Sequence, residues 1–408
     1  MEKLVIAGNG IAGHSALQEV LKSGVDYDIT MIYNEVPKTY MRTQLIKYAL
    51  GKLPDEKFFM VDDKFYESNG VHSIKASVLH LDSAARSLTL SDGQSVPFDK
   101  LIISTGSYNF IPPVKAQGHS SLTQIDSKTV HDGDGVYTLR NLEDARSFGA
   151  KVPQAKRAIV VGGGLLGLEA AGELVEQGLD VTVVEFASRL LPRQMDSASS
   201  VLFQEQAEAF GLHFILGDSV ETVLFEGDKV KRIKLVSGQE LDTDLVLFSI
   251  GIRPNLDPFK DALATNRGIL INEFTETSEP GIYACGDVSE YNGLVYGTWG
   301  FAMSTGKAAG QNAAGTKTPM KPYVLNTLFN ALSTKVFSTG SVNFDDPTLE
   351  NFVCGDPCKD YIKFLFQNNQ LVAAVLMGDT RYGSQLAKAI DNHMTSSEAV
   401  ATFATKEL

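Results

Sequence analysis

The run Lys3-Leu4-Val5-Ile6-Ala7-Gly8-Asn9-Gly10-Ile11-Ala12-Gly13 sets the reading of the whole chain, because its grammar returns as Ala158-Ile159-Val160-Val161-Gly162-Gly163-Gly164-Leu165-Leu166-Gly167. Each copy is an apolar strand pattern that breaks into Gly-x-Gly-x-x-Gly and then into a helical pattern. Ala16, Leu17, Val20 and Leu21 share a face in the first, and the second is rich in Ala and Leu. Gly24 and Gly178 end those helices, and apolar strands at 29–33 and 181–184 follow, so each copy predicts a βαβ unit. Working outward, residues 77–95 alternate in short pieces around Ser91-Asp92-Gly93, the pattern of an antiparallel meander. A strand at 100–104 then stops at Thr105-Gly106-Ser107. The second copy continues alike, with a meander at 225–241, a strand at 245–250 and the turn Gly251-Ile252-Arg253-Pro254-Asn255. The chain therefore carries one internal repeat at domain scale.

Beyond Lys321 the pattern changes. Residues 361–366 and 371–377 read as antiparallel strands, and the stretch from Ser384 reads as helical. The expected fold class is α/β: two three-layer, Rossmann-like dinucleotide-binding domains plus a small C-terminal α+β domain. The expected division is 1–113 with 243–320, then 114–242, then 321–408.

The chemistry of the glycine turns follows from their place between strand and helix. A helix N-terminus offers unpaired N–H groups and the positive end of the helix dipole, which suit a pyrophosphate. Gly8 and Gly162 permit the tight turn, Gly10 and Gly164 let backbone approach the phosphates, and Gly13 and Gly167 let helix pack on strand. Each copy also has an acid about 20 residues further on, at a strand end. In the second copy this is Glu185, placed to accept hydrogen bonds from the adenosine ribose; a carboxylate there repels a 2′-phosphate and favours NADH over NADPH. Arg189, four residues on in the same loop, is the counter-argument. In the first copy Tyr33 and Asn34 intervene, and Glu35 is the expected ribose partner.

These two fingerprints, Thr105-Gly106-Ser107, Gly251-Ile252-Arg253-Pro254-Asn255 and Ala284-Cys285-Gly286-Asp287 together resemble the flavoprotein reductases with two dinucleotide-binding domains, the pyridine nucleotide-disulfide oxidoreductase superfamily. The resemblance covers about 1–320. Tyr40-Met41-Arg42-Thr43-Gln44-Leu45-Ile46-Lys47 is similar to a Tyr-x-Arg-x-x-Leu-x-Lys segment of oxygenase-system ferredoxin reductases and apoptosis-inducing factor. The stretch from Val184 to Asp196 resembles the flavoprotein portion of the nitrite reductase large subunit. Met377-Gly378-Asp379-Thr380-Arg381 resembles that portion and the NADH:rubredoxin reductases.

The resemblance implies FAD in the first module and NADH in the second. It implies that Asp287 accepts hydrogen bonds from the ribityl chain, with Gly286 allowing close approach, although an N-cap role for Asp287 is also open. It counts Arg42, Thr105, Gly106 and Gly251 among the cofactor-binding residues. It implies that Lys47 lies near the flavin and pairs with Glu169, the two being the expected catalytic residues. Trp299, the lone tryptophan, would cover the ring system; ordinary core filling is the other reading.

What is missing narrows the chemistry. Disulfide reductases carry a redox cysteine pair after the first βαβ unit, and NADH oxidases or peroxidases a single cysteine. Residues 40–48 hold none, so thiol chemistry at the flavin lacks its reagent. Cys354 and Cys358 cannot complete an iron–sulfur ligand set, and no metal site is read. Three cysteines point to a reducing cytoplasm. A net charge of -13 argues against general nucleic-acid binding, and no run of about 18 apolar residues suggests a membrane span.

The leading expectation is hydride transfer from NADH to FAD, then single-electron delivery to a protein acceptor: rubredoxin, a ferredoxin-like protein or a separate terminal reductase. Two others stand beside it. One is an electron-transfer subunit of a larger iron–sulfur complex that exchanges electrons with NAD(H), and the other is an NADH-binding redox sensor.

Overall fold

The structure is a computed structural model that describes residues 1–129, 134–321, 323–340, 342–355 and 360–404. They form two compact units. The first is Met1–Asn109 with Arg140–Leu142 and Gly251–Lys321; the second is Phe110–Leu139 with Glu143–Ile250 and Pro322–Leu408.

In the first unit, strand Glu2–Ala7 lies at the centre of a parallel sheet ordered Ile282–Ala284, Lys100–Ile103, Glu2–Ala7, Tyr27–Tyr33, His72–Lys75. Both faces of this strand are covered, which is why Leu4 through Ala7 read as an unbroken apolar run. One face meets the antiparallel meander Val78–Asp82, Ser87–Leu90, Ser95–Pro97, whose Leu81, Leu88 and Leu90 pack on Val5, Ala7, Leu101 and Ile103. The other face meets helix Ile11–Ser23, which Gly24 ends in a left-handed conformation at φ 69°. Helix Trp299–Ala313 lies directly on this helix. A Cβ at Gly306 would sit 2.2 Å from the carbonyl oxygen of Ala12, and one at Gly310 2.3 Å from that of Ala16. The two backbones touch there, and only glycine fits.

The second unit repeats the arrangement. Its parallel sheet runs Val136–Tyr137, Leu245–Phe248, Arg157–Val161, Asp180–Glu185, Leu212–Leu216. The glycine-turn strand is again central, the closing strand of the βαβ unit lies on one side and the returning strand on the other. A mixed sheet of Gln124–Ile125, Val114–Gln117, Val220–Glu226, Lys229–Leu235 and Glu240–Asp242 contributes Val223, Ile233 and Leu235 to the shared core. The edge strands differ in origin: Ile282–Ala284 comes late in the chain and Val136–Tyr137 comes early.

The C-terminal segment builds an antiparallel sheet ordered Asn326–Ala331, Thr334–Thr339, Gln370–Met377, Tyr361–Gln367, Glu350–Cys354. Helices Gly383–Asp391 and Ser396–Phe403 close its core through Leu386, Ala389, Ala399 and Phe403. It belongs to the second compact unit. There Leu332 sits where a side chain at Gly172 would be, 2.7 Å from the position of its missing Cβ. The hairpin 326–339 has no counterpart in the sequence reading, because its turn residues, Leu332 and Ser333, are left-handed (φ 55° and 54°) without being Gly, Asn or Asp. Among the described residues, no helix is long and apolar enough to cross a membrane.

Candidate functional site

The two glycine turns have one stereochemistry. Gly8 is at φ 110°, and a Cβ there would lie 2.2 Å from the Ser104 carbonyl oxygen; Gly162 is at φ 120°, and its Cβ would lie 2.3 Å from that of Ser249. Gly13 and Gly167 face the carbonyls of their own first glycines, at 1.9 and 2.1 Å. The middle glycines differ from these: a Cβ on Gly10 or Gly164 would meet nothing within 4 Å. The outer glycines are thus demanded by the folded chain, whereas the middle ones border open space. Each helix N-terminus begins there with its N-cap backbone extended and no side chain capping it. Such a cradle fits the pyrophosphate of a dinucleotide.

In the first unit the strand ends bring distant residues together. Glu35 accepts from the Tyr40 hydroxyl and, at 2.9 Å, from Nη2 of Arg42. The guanidinium of Arg42 lies over the Tyr40 ring, 4.8 Å from its centroid, and donates to the carbonyl of Arg140. Burial opposes the charge on Arg42, but Tyr40 and Glu35 outweigh it and raise its pKa. Burial pushes the Tyr40 phenol up. Arg140 then donates to Oδ2 of Asp287 at 2.9 Å and to Oγ of Ser107 at 2.7 Å, and Ser107 Oγ donates to the same Asp287 oxygen at 2.9 Å. Asp287 stands in the short 3-10 turn Gly286–Val288, whose N-cap is Cys285. The N-cap reading of Asp287 is therefore replaced by a salt-bridged carboxylate.

Arg140 was not anticipated. It follows the second unit's edge strand in the chain, and nothing local to it announces a partner near Asp287.

Thr105 accepts through its carbonyl from Asn255 at 2.8 Å, while its buried Oγ1 has no hydrogen-bond partner. An orphaned hydroxyl beside the cradle is consistent with a bound ligand there. Gly106, at φ 68°, accepts from the Asn255 amide, and Gly251, at φ 109°, leads into strand Ile252–Pro254 paired with Ser107–Asn109. Trp299 is the first residue of its helix after N-cap Thr298; it is half-buried and does not belong to the buried core, contrary to the core-filler reading. Lys47 is exposed on the short helix Leu45–Ala49 of the first unit.

In the second unit Glu185 ends its strand and reaches back, accepting from the Gly163 amide at 2.5 Å and the Ala187 amide at 2.8 Å. Its carboxylate thus caps the rim of the cradle. Next to it Phe186 is 80% exposed, a bare aromatic face that the sequence reading passed over. Both Nη groups of Arg189 are engaged, with Asp345, Ser197 Oγ at 2.7 Å and the carbonyl of Pro192 at 3.3 Å, while its buried Nε has no hydrogen-bond partner. Glu169 lies half-buried on helix Leu165–Glu176.

Among the described residues, no cysteine thiol enters the hydrogen-bond network of Glu35, Arg42, Arg140 and Asp287. Cys285 is fully buried, and burial pushes its thiol up to about 12. Burial also raises the pKa of Cys354; Cys358 lies outside the described residues.

Residues 2–311 match the pyridine nucleotide-disulphide oxidoreductase family, and residues 326–394 match the rubredoxin NAD+ reductase C-terminal domain. The chain belongs to the pyridine nucleotide-disulphide oxidoreductases, a family that implies FAD and NAD(P)H. It is 32% identical over 403 residues to a nitrite reductase [NAD(P)H] of Bacillus subtilis, covering 97% of this chain and 48% of that protein. It is 27% identical over 392 residues to an NADH-rubredoxin oxidoreductase of Clostridium acetobutylicum, covering 96% of this chain and 94% of that one. The chain spans about half the length of the nitrite reductase relatives. Among solved structures it resembles putidaredoxin reductase in its covalent complex with putidaredoxin, with a TM-score of 0.86 at 23% identity over 97% of this chain and 94% of that one. The C. acetobutylicum NADH:rubredoxin oxidoreductase gives a TM-score of 0.78 at 26% identity, over 97% and 96%.

Proposed function

We propose that this chain takes one hydride, and with it an electron pair, from NADH and passes the electrons singly to a protein acceptor. The observation that carries this reading is the pair of equivalent glycine cradles, each open at its middle glycine, the second bordered by the strand-end acid Glu185. FAD, when bound, supplies the chemistry that converts a two-electron donor into single electrons. The chain's own residues bind and orient. Gly8, Gly10 and Gly13 hold one pyrophosphate, and Asp287, set by Arg140 and Ser107, receives the ribityl hydroxyls. Arg42 and Tyr40 keep Glu35 in place, and Lys47 contributes positive charge near the flavin. In the second cradle Glu185 accepts from the adenosine ribose and repels a 2′-phosphate, so NADH is the proposed donor, and Phe186 offers its face to the adenine. The acceptor class, rubredoxin-like or ferredoxin-like, is suggested by the C. acetobutylicum relative and by the putidaredoxin complex.

The test is anaerobic bleaching of the purified yellow protein by NADH and by NADPH, followed by reduction of rubredoxin and of a plant-type ferredoxin. Failure of NADH to bleach the flavin would sink the proposal. A second reading has its own support in the half-length match to nitrite reductases: the chain serves iron–sulfur subunits supplied separately. Strong turnover with a small soluble carrier favours the first reading; turnover only with a co-purifying partner favours the second.

A further inference from the structure

The loop after Glu185 is pinned at the edge of the second cradle. The amide of Leu191 donates to the Gly163 carbonyl at 3.2 Å, and Leu190 covers Gly163 from above, 2.8 Å from where its Cβ would be. Leu190 and Leu191 are fully buried. Arg189, immediately before them, is therefore held at the rim where an adenosine 2′-substituent would lie beside Glu185. An arginine in that place normally receives a 2′-phosphate through its planar fork.

Here the two Nη groups are already taken. Asp345, from the C-terminal segment, accepts from Nη1 of Arg189 through Oδ2. It is itself oriented by Ser197, whose amide donates to Oδ1 at 3.0 Å and whose hydroxyl donates to Oδ2 at 3.1 Å. A second clasp fixes the same segment to the end of the same loop. Asp196, 2% exposed, accepts from Lys363 Nζ and from the Tyr361 hydroxyl, both at 2.7 Å, while its other oxygen caps helix Ser197–Phe210 through the Ser199 amide. Asp345 is thus delivered to Arg189 by a docked domain and not by a swinging side chain.

We propose that Asp345 is a specificity-determining residue: it enforces the choice of NADH by pairing with the Arg189 guanidinium and so keeping it from a 2′-phosphate. The inference rests on the assignment of the second cradle to NAD(P)H. Glu185 excludes the phosphate directly, and Asp345 disarms Arg189, a nearby cation that would attract it. Burial pushes the Asp345 carboxyl up, but Ser197 and Arg189 outweigh it and hold it below its ordinary value, which fits that role.

The test is calorimetric titration of the FAD-loaded protein with ADP-ribose and with 2′-phospho-ADP-ribose, neither of which turns over. In Asp345→Asn, which keeps one acceptor for the Ser197 amide, affinity for the phosphorylated ligand should rise roughly tenfold relative to ADP-ribose. The gain should vanish in Asp345→Asn combined with Arg189→Ala. Arg189→Gln alone, with Asp345 intact, should change the ratio less than about twofold. An unchanged ratio in folded Asp345→Asn overturns the proposal. So does a gain that survives loss of Arg189, or a large loss of phosphorylated-ligand binding in Arg189→Gln. A merely structural clasp would weaken both ligands together and leave the ratio where it was. No binding of ADP-ribose to the unmodified protein would instead overturn the assignment of the cradle, and with it this inference.

Discussion

Replacing Gly10 with alanine and replacing Gly13 with alanine should produce two different failures, although both residues belong to one turn. Gly13 faces the Gly8 carbonyl oxygen, and its Cβ would lie 1.9 Å from that atom, where ordinary contact begins at 3.4 Å. The helix would have to retreat by the 1.5 Å difference, or the turn would have to open. Overpacking of this kind costs about 1–3 kcal/mol, so Gly13→Ala should unfold earlier in denaturant even as apoprotein. Gly10 is at φ −66°, which alanine adopts freely, and its Cβ would meet nothing within 4 Å. The apoprotein of Gly10→Ala should be as stable as the unmodified chain, or firmer by roughly 0.4–1 kcal/mol through a less flexible unfolded state.

Its loss should appear only with ligand. A methyl group in the space reserved for phosphate displaces charge-assisted contacts worth about 1.5–3 kcal/mol, on the order of ten- to a hundredfold in Kd. The assay is deflavination, a denaturant melt of each apoprotein, and then FAD titration followed by flavin fluorescence. If Gly10→Ala binds FAD as tightly as the unmodified chain, the open space above Gly10 is not a phosphate site. If Gly13→Ala melts with the unmodified apoprotein, the close approach of helix and strand has been misread.

Three further outcomes follow from the same geometry. Lys363→Met removes the cation from a buried pair and leaves Asp196 uncompensated, a loss of about 3–5 kcal/mol at neutral pH. Although burial pushes the Asp196 carboxyl up, Lys363, Ser199 and Tyr361 outweigh it and hold it below its ordinary value. Its stabilisation is therefore present above about pH 4 and fades as pH falls through the lower folded value. The variant's deficit should shrink in acid; equal deficits in thermal melts at neutral and acid pH would show a packing effect instead. Lys47→Ala should slow flavin reduction by NADH and lower the flavin potential, while Glu169→Gln raises it. Stopped-flow rates and potentials left unchanged in both variants would remove these residues from the active site. Cys285, with its thiol buried and pushed up to about 12, should resist iodoacetamide at pH 8 until the first unit unfolds. Rapid labelling of the native protein, read by peptide mass, would contradict that burial.

The parts of this protein legible in its sequence are those whose physical cause is local. A tight turn needs glycine at a fixed distance from the strand that precedes it, so Gly8, Gly10 and Gly13, and again Gly162, Gly164 and Gly167, announce two cradles without reference to the rest of the chain. The strand-end position of Glu185 is legible for the same reason, as is the left-handed stop at Gly24. Where a turn is made by residues that carry no such mark, as at Leu332 and Ser333, the hairpin 326–339 stays hidden.

What only tertiary structure decides is which charges meet. Arg140 and Asp287 are far in the chain from each other and from the local pair Glu35 and Arg42, and sheet order in the first unit, with the Arg140–Leu142 segment joining it, brings them together. Arg189 could be read from the sequence as a phosphate receptor. Asp345, more than a hundred residues later, pairs with it in the fold. Sequence can place a cation beside a ribose; whether that cation is free to act depends on a partner that only long-range packing supplies.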